Sequence, residues 1–180
     1  TTTTFPDRKV TSTGPMTGKT IDVELPTTMH GVLSFENGAM VTISTSWDVW
    51  KHDRRPIEIY GATGSMLVPD PNFFGGMPKV SIGREDWTSL DIDAFAFGKL
   101  NRIINDDSEV ADYRIVGLLD MAAALRADRP HRADGAMALH VLEVMDGLGR
   151  SSTEQRHIEI ESRVERPMPL PKGTDEQVFL

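Results

Sequence analysis

Apolar and polar positions alternate through the first half of the chain. Over residues 19–25, Ile21, Val23 and Leu25 point one way and Thr20, Asp22 and Glu24 the other, the period of a half-buried strand. Residues 30–35 and 39–47 are two further β-rich runs on either side of Asn37-Gly38. Asn-Gly in that place predicts a hairpin with a two-residue type I′ turn, which needs positive φ at both positions. In the second run Val41, Ile43 and Thr45 stand opposite Thr42, Ser44 and Ser46, so one face is the wetter. Residues 57–60 and 65–68 predict a second hairpin around Gly61-Ala62-Thr63-Gly64. Pro69-Asp70-Pro71-Asn72 and Gly75-Gly76 mark a long turn, and short strands are expected at 80–82 and 90–92.

The period then changes. Across residues 113–126, Ile115, Leu118, Leu119, Ala122 and Leu125 form one amphipathic stripe, and Arg129-Pro130 ends that helix. Asp134 is placed to cap a second helix with Met137, Ala138, Val141, Val144, Met145 and Leu148 inward and Gly149 at C′. Residues 157–161 read as a last short strand, and Pro167, Pro169 and Pro171 predict an extended tail. Strands segregated from helices imply an α+β domain, with an open, mostly antiparallel sheet and helices on one face. We expect a single domain over residues 1–165 and an extended Pro-rich tail over 166–180. The other sheet face then needs cover from water, another domain or a second copy of the chain.

With 180 residues the chain has the length of one domain and can bury a core without staples. Its 19 Lys+Arg against 27 Asp+Glu give a net charge of −8, which repels phosphate backbones and anionic lipid. Neither a nucleic acid nor a membrane is an expected partner. The absence of Cys excludes disulfides, thiolate zinc sites and a Cys nucleophile, and fits a cytoplasmic location. No apolar run approaches the ~20 residues of a membrane helix. The start, Thr1-Thr2-Thr3-Thr4 without an initiating Met, is that expected of a piece of something longer.

The residues carry no catalytic signature: no dinucleotide fingerprint, phosphate loop, nucleophile elbow or zinc-protease pair occurs. Gly61-Ala62-Thr63-Gly64 lies between strands and reads as a β-turn. No two of His30, His52, His131, His140 and His157 have helical ligand spacing, so no metal site is expected. His140 reads as a packed histidine. His131-Arg132, at a helix entry, could hold an anion or simply bond nearby backbone. The densest polar-aromatic stretch runs from Trp47 through Trp50, His52 and Arg54 to Arg55. Its indoles, with His and Arg, could stack on and hydrogen-bond a polyol; equally, the tryptophans could cover the core rim.

Several blocks carry a family resemblance. They are Phe35-Glu36-Asn37-Gly38-Ala39, the run from Ile57 through Tyr60-Gly61-Ala62-Thr63-Gly64 to Gly75-Gly76, and Gly117-Leu118-Leu119-Asp120. Arg129-Pro130-His131-Arg132, His140-Val141-Leu142-Glu143 and Ser151-Ser152 complete the series. In this order they resemble the C-terminal domain of the glucose–fructose oxidoreductase, inositol dehydrogenase and MocA family. The resemblance implies an α+β domain that completes a substrate pocket and supports oligomerisation. The partner domain in such enzymes is a Rossmann domain that binds NAD or NADP and carries the Glu-Lys-Pro segment; no Glu-Lys-Pro occurs here. The expectation is therefore no catalytic residue and no cofactor in this chain, with NAD or NADP in the full-length enzyme. Trp47, His52 and Arg54 are the expected substrate-binding residues for a sugar or polyol, and a homo-oligomer through sheet faces is the expected assembly. The other reading is a stand-alone ligand-binding or assembly module with no catalysis.

Overall fold

The computed structural model of the chain describes residues 1–173 apart from positions 73, 75, 93, 96, 106 and 107. Among the described residues the strands are β1 (Asp7–Lys9), β2 (Thr20–Asp22), β3 (Thr28–Ser34), β4 (Met40–Ser46), β5 (Ile57–Tyr60) and β6 (Gly64–Val68). After them come β7 (Lys79–Ile82), β8 (Thr88–Ser89), β9 (Arg102–Asn105), β10 (Ser108–Val110), α1 (Val116–Ala127) and α2 (Gly135–Glu154). Pairing is antiparallel in every ladder described, so the α+β class stands. Among the described residues the strands pair as β1-β2, β3-β4, β9-β10 and β5-β6-β7-β8. Each short strand pairs with its sequence neighbour, and proline- and glycine-rich connections separate the sets.

Two compact units result: Thr1–His52 with Ala138–Val164, and Asp53–Met137 with Glu165–Leu180. In the first, β3 and β4 pair from Thr28↔Ser46 to Ser34↔Met40. Gly31, Leu33, Ile43 and Val41 share one face, and Gly31 leaves the room that the Leu148 side chain of α2 fills. The other face is the wetter one expected: Ser44 Oγ meets His30 Nδ1 at 2.9 Å and Thr28 Oγ1 meets Ser46 Oγ at 2.6 Å. On α2, Gly147 is buried against Ile158 and Ile160. That segment forms no strand, contrary to the expectation for residues 157–161. It lies along the helix instead, because the Glu143 carboxylate accepts the Glu161 and Ser162 amides at 2.7 and 2.9 Å.

Other expectations shift in register. The strand expected over 19–25 narrows to Thr20–Asp22, although the Val23 amide still reaches the Pro6 carbonyl at 2.8 Å. The strand expected at 90–92 sits at Thr88–Ser89; the Leu90 amide bonds the Pro78 carbonyl, and Ile92 already accepts from Phe95 in a turn. Asp134 does cap α2, its Oδ1 accepting the Met137 amide at 2.8 Å. Gly149 is not the C′ residue: the helix continues to Glu154, carried by an Arg150–Glu154 pair, and Gln155 takes the left-handed position with φ 56°.

In the second unit the buried face of α1 is Val116, Asp120 and Ala124. The stripe expected inward is turned outward, with Leu118 62% and Leu125 77% exposed. The Asp120 side chain explains the rotation, since Arg129 and Arg132 draw it in from beyond the helix end. On α2, Val141 and Met145, also expected inward, are exposed as well. Val32 and Met40 in the first unit and Leu118 and Leu125 in the second are exposed, so apolar area is left open in each. Among the described residues no helix is long and apolar enough to cross a membrane.

The Asn37-Gly38 turn differs from the two-residue type I′ loop. Phe35 N–H donates to the Ala39 carbonyl and Gly38 N–H to the Phe35 carbonyl, both at 2.9 Å, which makes a three-residue loop. Gly38 has φ 87°, while Asn37 keeps negative φ and uses its Oδ1 to accept the Ala39 amide at 3.0 Å. This is a turn closed by one left-handed glycine. Gly38→Val should therefore cost about 1–3 kcal/mol, read as a lower Tm, and Asn37→Ala clearly less. Equal losses at both positions would contradict the three-residue geometry.

Candidate functional site

The most heavily bonded group of the first unit is the Asp48 carboxylate, just past the end of β4. Ser46 Oγ accepts the Asp48 amide at 3.0 Å and starts the turn out of the strand. The carboxylate accepts from the Thr27 and Thr28 hydroxyls at 2.6 and 2.8 Å and from the Thr4 amide at 3.4 Å. It is also ion-paired to Arg8, and its side chain is 5% exposed. The Thr27 hydroxyl is the largest influence on its protonation. Burial opposes that pull, but with Thr28 and Arg8 also donating the carboxyl falls from 3.8 to about 2.

This clamp fixes Trp47. Its N–H donates to the Thr27 carbonyl at 2.9 Å, and its carbonyl accepts from Arg8 Nη2 at 2.7 Å. Held at both ends, Trp47 leaves its side chain in solvent, 80% exposed. Arg8 also lies 5.7 Å from the centroid of Phe5, whose ring meets Trp50 edge-on at 6.1 Å. Trp47 and Trp50 are thus linked through Arg8 and Phe5, with Asp48 holding the guanidinium.

His52 and Arg54 are exposed on the connection from β4 to β5, residues 47–56, which has no regular structure. His52 belongs to the first unit with Trp47, and Arg54 to the second. Sequence reasoning placed Asp48 in the aromatic stretch but missed its role. The available signal was an acid directly following a Ser/Thr-rich strand; Arg8, forty residues earlier, gave none.

The His131-Arg132 entry settles on backbone and carboxylate bonding. Asp120 accepts the Arg132 amide at 2.7 Å and is ion-paired to the guanidinia of Arg132 and Arg129. Burial pushes the Asp120 carboxyl up, but the Arg132 amide and the two arginines outweigh it and hold the pKa below the ordinary value. His140 is half-buried, with Nδ1 2.8 Å from Ser162 Oγ, as a packed histidine should be. Among the described residues no three His, Asp or Glu are grouped to hold a metal ion.

Neither the start of α2 nor the Gly61–Gly64 turn has the form of a dinucleotide cradle. A pyrophosphate needs open amides at a helix start behind a glycine turn. At α2 the Asp134 carboxylate already occupies that end, and Gly61-Ala62-Thr63-Gly64 joins two strands, its Gly61 N–H donating to the Gly64 carbonyl at 2.9 Å.

Fold and site together define an α+β domain that holds its indoles out on a clamped loop. Residues 3–67 match the family model of the GFO/IDH/MocA C-terminal domain, so this segment is similar to that family. The matched segment contains the whole Asp48 clamp and, of the blocks that carry the resemblance, Phe35–Ala39 and the run from Ile57 as far as Leu67. Comparison with curated proteins and with solved structures gives no match.

The shifted carboxyl makes a pH prediction. Asp48 has a folded pKa near 2 against an ordinary 3.8, so the unfolded chain takes up the proton first. Its stabilising contribution is complete above about pH 4 and is lost as pH falls towards 2. Thermal melts of the chain should show this loss, and Asp48→Asn should have a lower Tm at pH 7 and a flatter profile between pH 4 and 2. Parallel profiles for the two proteins would contradict the clamp.

Proposed function

We propose that this chain is the substrate-side and oligomerisation domain of an NAD(P)-dependent sugar or polyol dehydrogenase. In the intact enzyme a hydride passes between nicotinamide and a secondary alcohol carbon, with cofactor and catalytic groups on a Rossmann domain outside these residues. The family match over residues 3–67 is the observation that carries the reading. In it, Trp47 covers the apolar face of the sugar ring, while His52 of the same unit hydrogen-bonds its hydroxyls. Support for the aromatic part comes from the fixed backbone and exposed indole of Trp47. The domain is inactive by itself and works in the cytoplasm. It assembles as a homo-oligomer through sheet faces; Val32 and Met40, exposed on one face of β3-β4, favour that mode.

The second reading, a ligand-binding or assembly module without catalysis, is favoured by the open apolar stripe of α1. Kinetics of the intact protein separate the two. The dehydrogenase reading expects sugar- or polyol-dependent reduction of NAD⁺ or NADP⁺. It further expects Trp47→Ala to lower kcat/KM at least about tenfold, a change of about 1.4 kcal/mol, with Tm nearly unchanged. Wild-type kinetics in the variant would remove Trp47 from the site. No turnover across a panel of sugars and polyols would leave the module.

A further inference from the structure

The second unit contains a half-open pocket of about 310 Å³. Pro69, Phe74, Ile92, Phe95 and Phe97 form its walls, and Leu170 closes one side. Neighbouring amides are used within the walls: Phe74 N–H bonds the Ala111 carbonyl, Phe95 N–H that of Ile92, and Gly98 N–H that of Phe95. The surface turned to the cavity is consequently apolar. Two of its rings are held from behind, since Tyr113 meets Phe74 edge-on at 6.2 Å and Phe97 at 5.1 Å.

The Leu170 wall is pinned on both sides. Arg132 Nε donates to the Met168 carbonyl at 2.7 Å and its Nη2 to the Pro169 carbonyl at 3.4 Å. Gly173 N–H reaches the Ala94 carbonyl at 3.0 Å. Arg132 is itself fixed on buried Asp120. The cavity is thus preformed, as small-molecule sites are. Among the described residues one charged side chain lies in its lining, Asp70 at the exposed rim, whose Oδ1 accepts the Asn72 amide at 2.9 Å. Arg114, a cation close to this turn, is outside the lining and engaged by Asn72 Oδ1 at 3.0 Å and by Asp112 at 3.5 Å.

We infer that this pocket binds a small arylalkylamine, its ring among the phenylalanines and its ammonium group on Asp70. An apolar cavity of about 150 Å³ already accepts benzene, so the larger volume suits one ring with a short arm. The Asp70 carboxylate at the rim selects a cation at the end of that arm. The site lies wholly in the second unit and stands independently of the dehydrogenase reading, whose indole is in the first.

Calorimetry of the full chain with 2-phenylethylamine, 2-phenylethanol and phenylacetate tests it, on wild type, Asp70→Asn and Leu170→Trp. The amine should bind at least about fivefold more tightly than the alcohol, the size of a partly exposed ion pair, and phenylacetate most weakly. Asp70→Asn, at the rim, should bring amine and alcohol to within about twofold of each other while the alcohol binds as before. Leu170→Trp should fill the cavity and weaken both ligands by at least about tenfold. No binding of any of the three, equal binding of amine and alcohol to wild type, or a preference that survives Asp70→Asn would overturn the inference. If Leu170→Trp does not fold, the amine-to-alcohol ratio in Asp70→Asn is decisive by itself.

Discussion

The Asp48 carboxylate organises the first unit. It is nearly removed from water, and such a charge is tolerated only when its oxygens are fully bonded. Meeting that demand draws in Thr4 and Arg8 from the N-terminal segment and Thr27 and Thr28 from the entry of β3. Once Arg8 is there, it also takes the Trp47 carbonyl, and the exposed indole acquires a fixed base. Packing alone would not do this, because the described core of the chain consists of Ala111, Val116 and Ala124.

Asp120 does for the second unit what Asp48 does for the first. It too is buried and ion-paired, to Arg129 and Arg132, and Arg132 then reaches the tail carbonyls. In both cases one carboxylate recruits an arginine, forty residues away for Asp48 and twelve for Asp120, and that arginine's spare donors hold backbone carbonyls. The arginine fork suits the task, since several N–H groups in one plane can satisfy an acid and a backbone carbonyl together. Each unit keeps exposed apolar side chains beside its clamp, Val32 and Met40 in the first and Leu118 and Leu125 in the second.

Much of the fold was legible in periodicity. The β3-β4 and β5-β6 hairpins, the wetter face of β4, the two helices and the Asp134 cap all follow from local pattern and local chemistry. The face of α1 was not legible, because Asp120 outcompetes Leu118 and Leu125 for the interior through partners beyond the helix end. The 157–161 strand failed for a similar reason: Glu143 satisfies backbone that a sheet would otherwise have paired. The β9-β10 hairpin was missed, its strands being too short for a period to show. At the site, Trp47, His52 and Arg54 stood out by composition, whereas the clamp beneath Trp47 depends on contacts across forty residues.

Amide hydrogen exchange, followed residue by residue by NMR in wild type and Asp48→Ala, tests most directly whether this carboxylate sets the Trp47 loop. If it does, protection should fall at least about tenfold at the Thr4 and Trp47 amides, while the β5-β6 amides of the second unit exchange as in wild type. Unchanged protection at Trp47, or an equal loss throughout both units, would contradict the account.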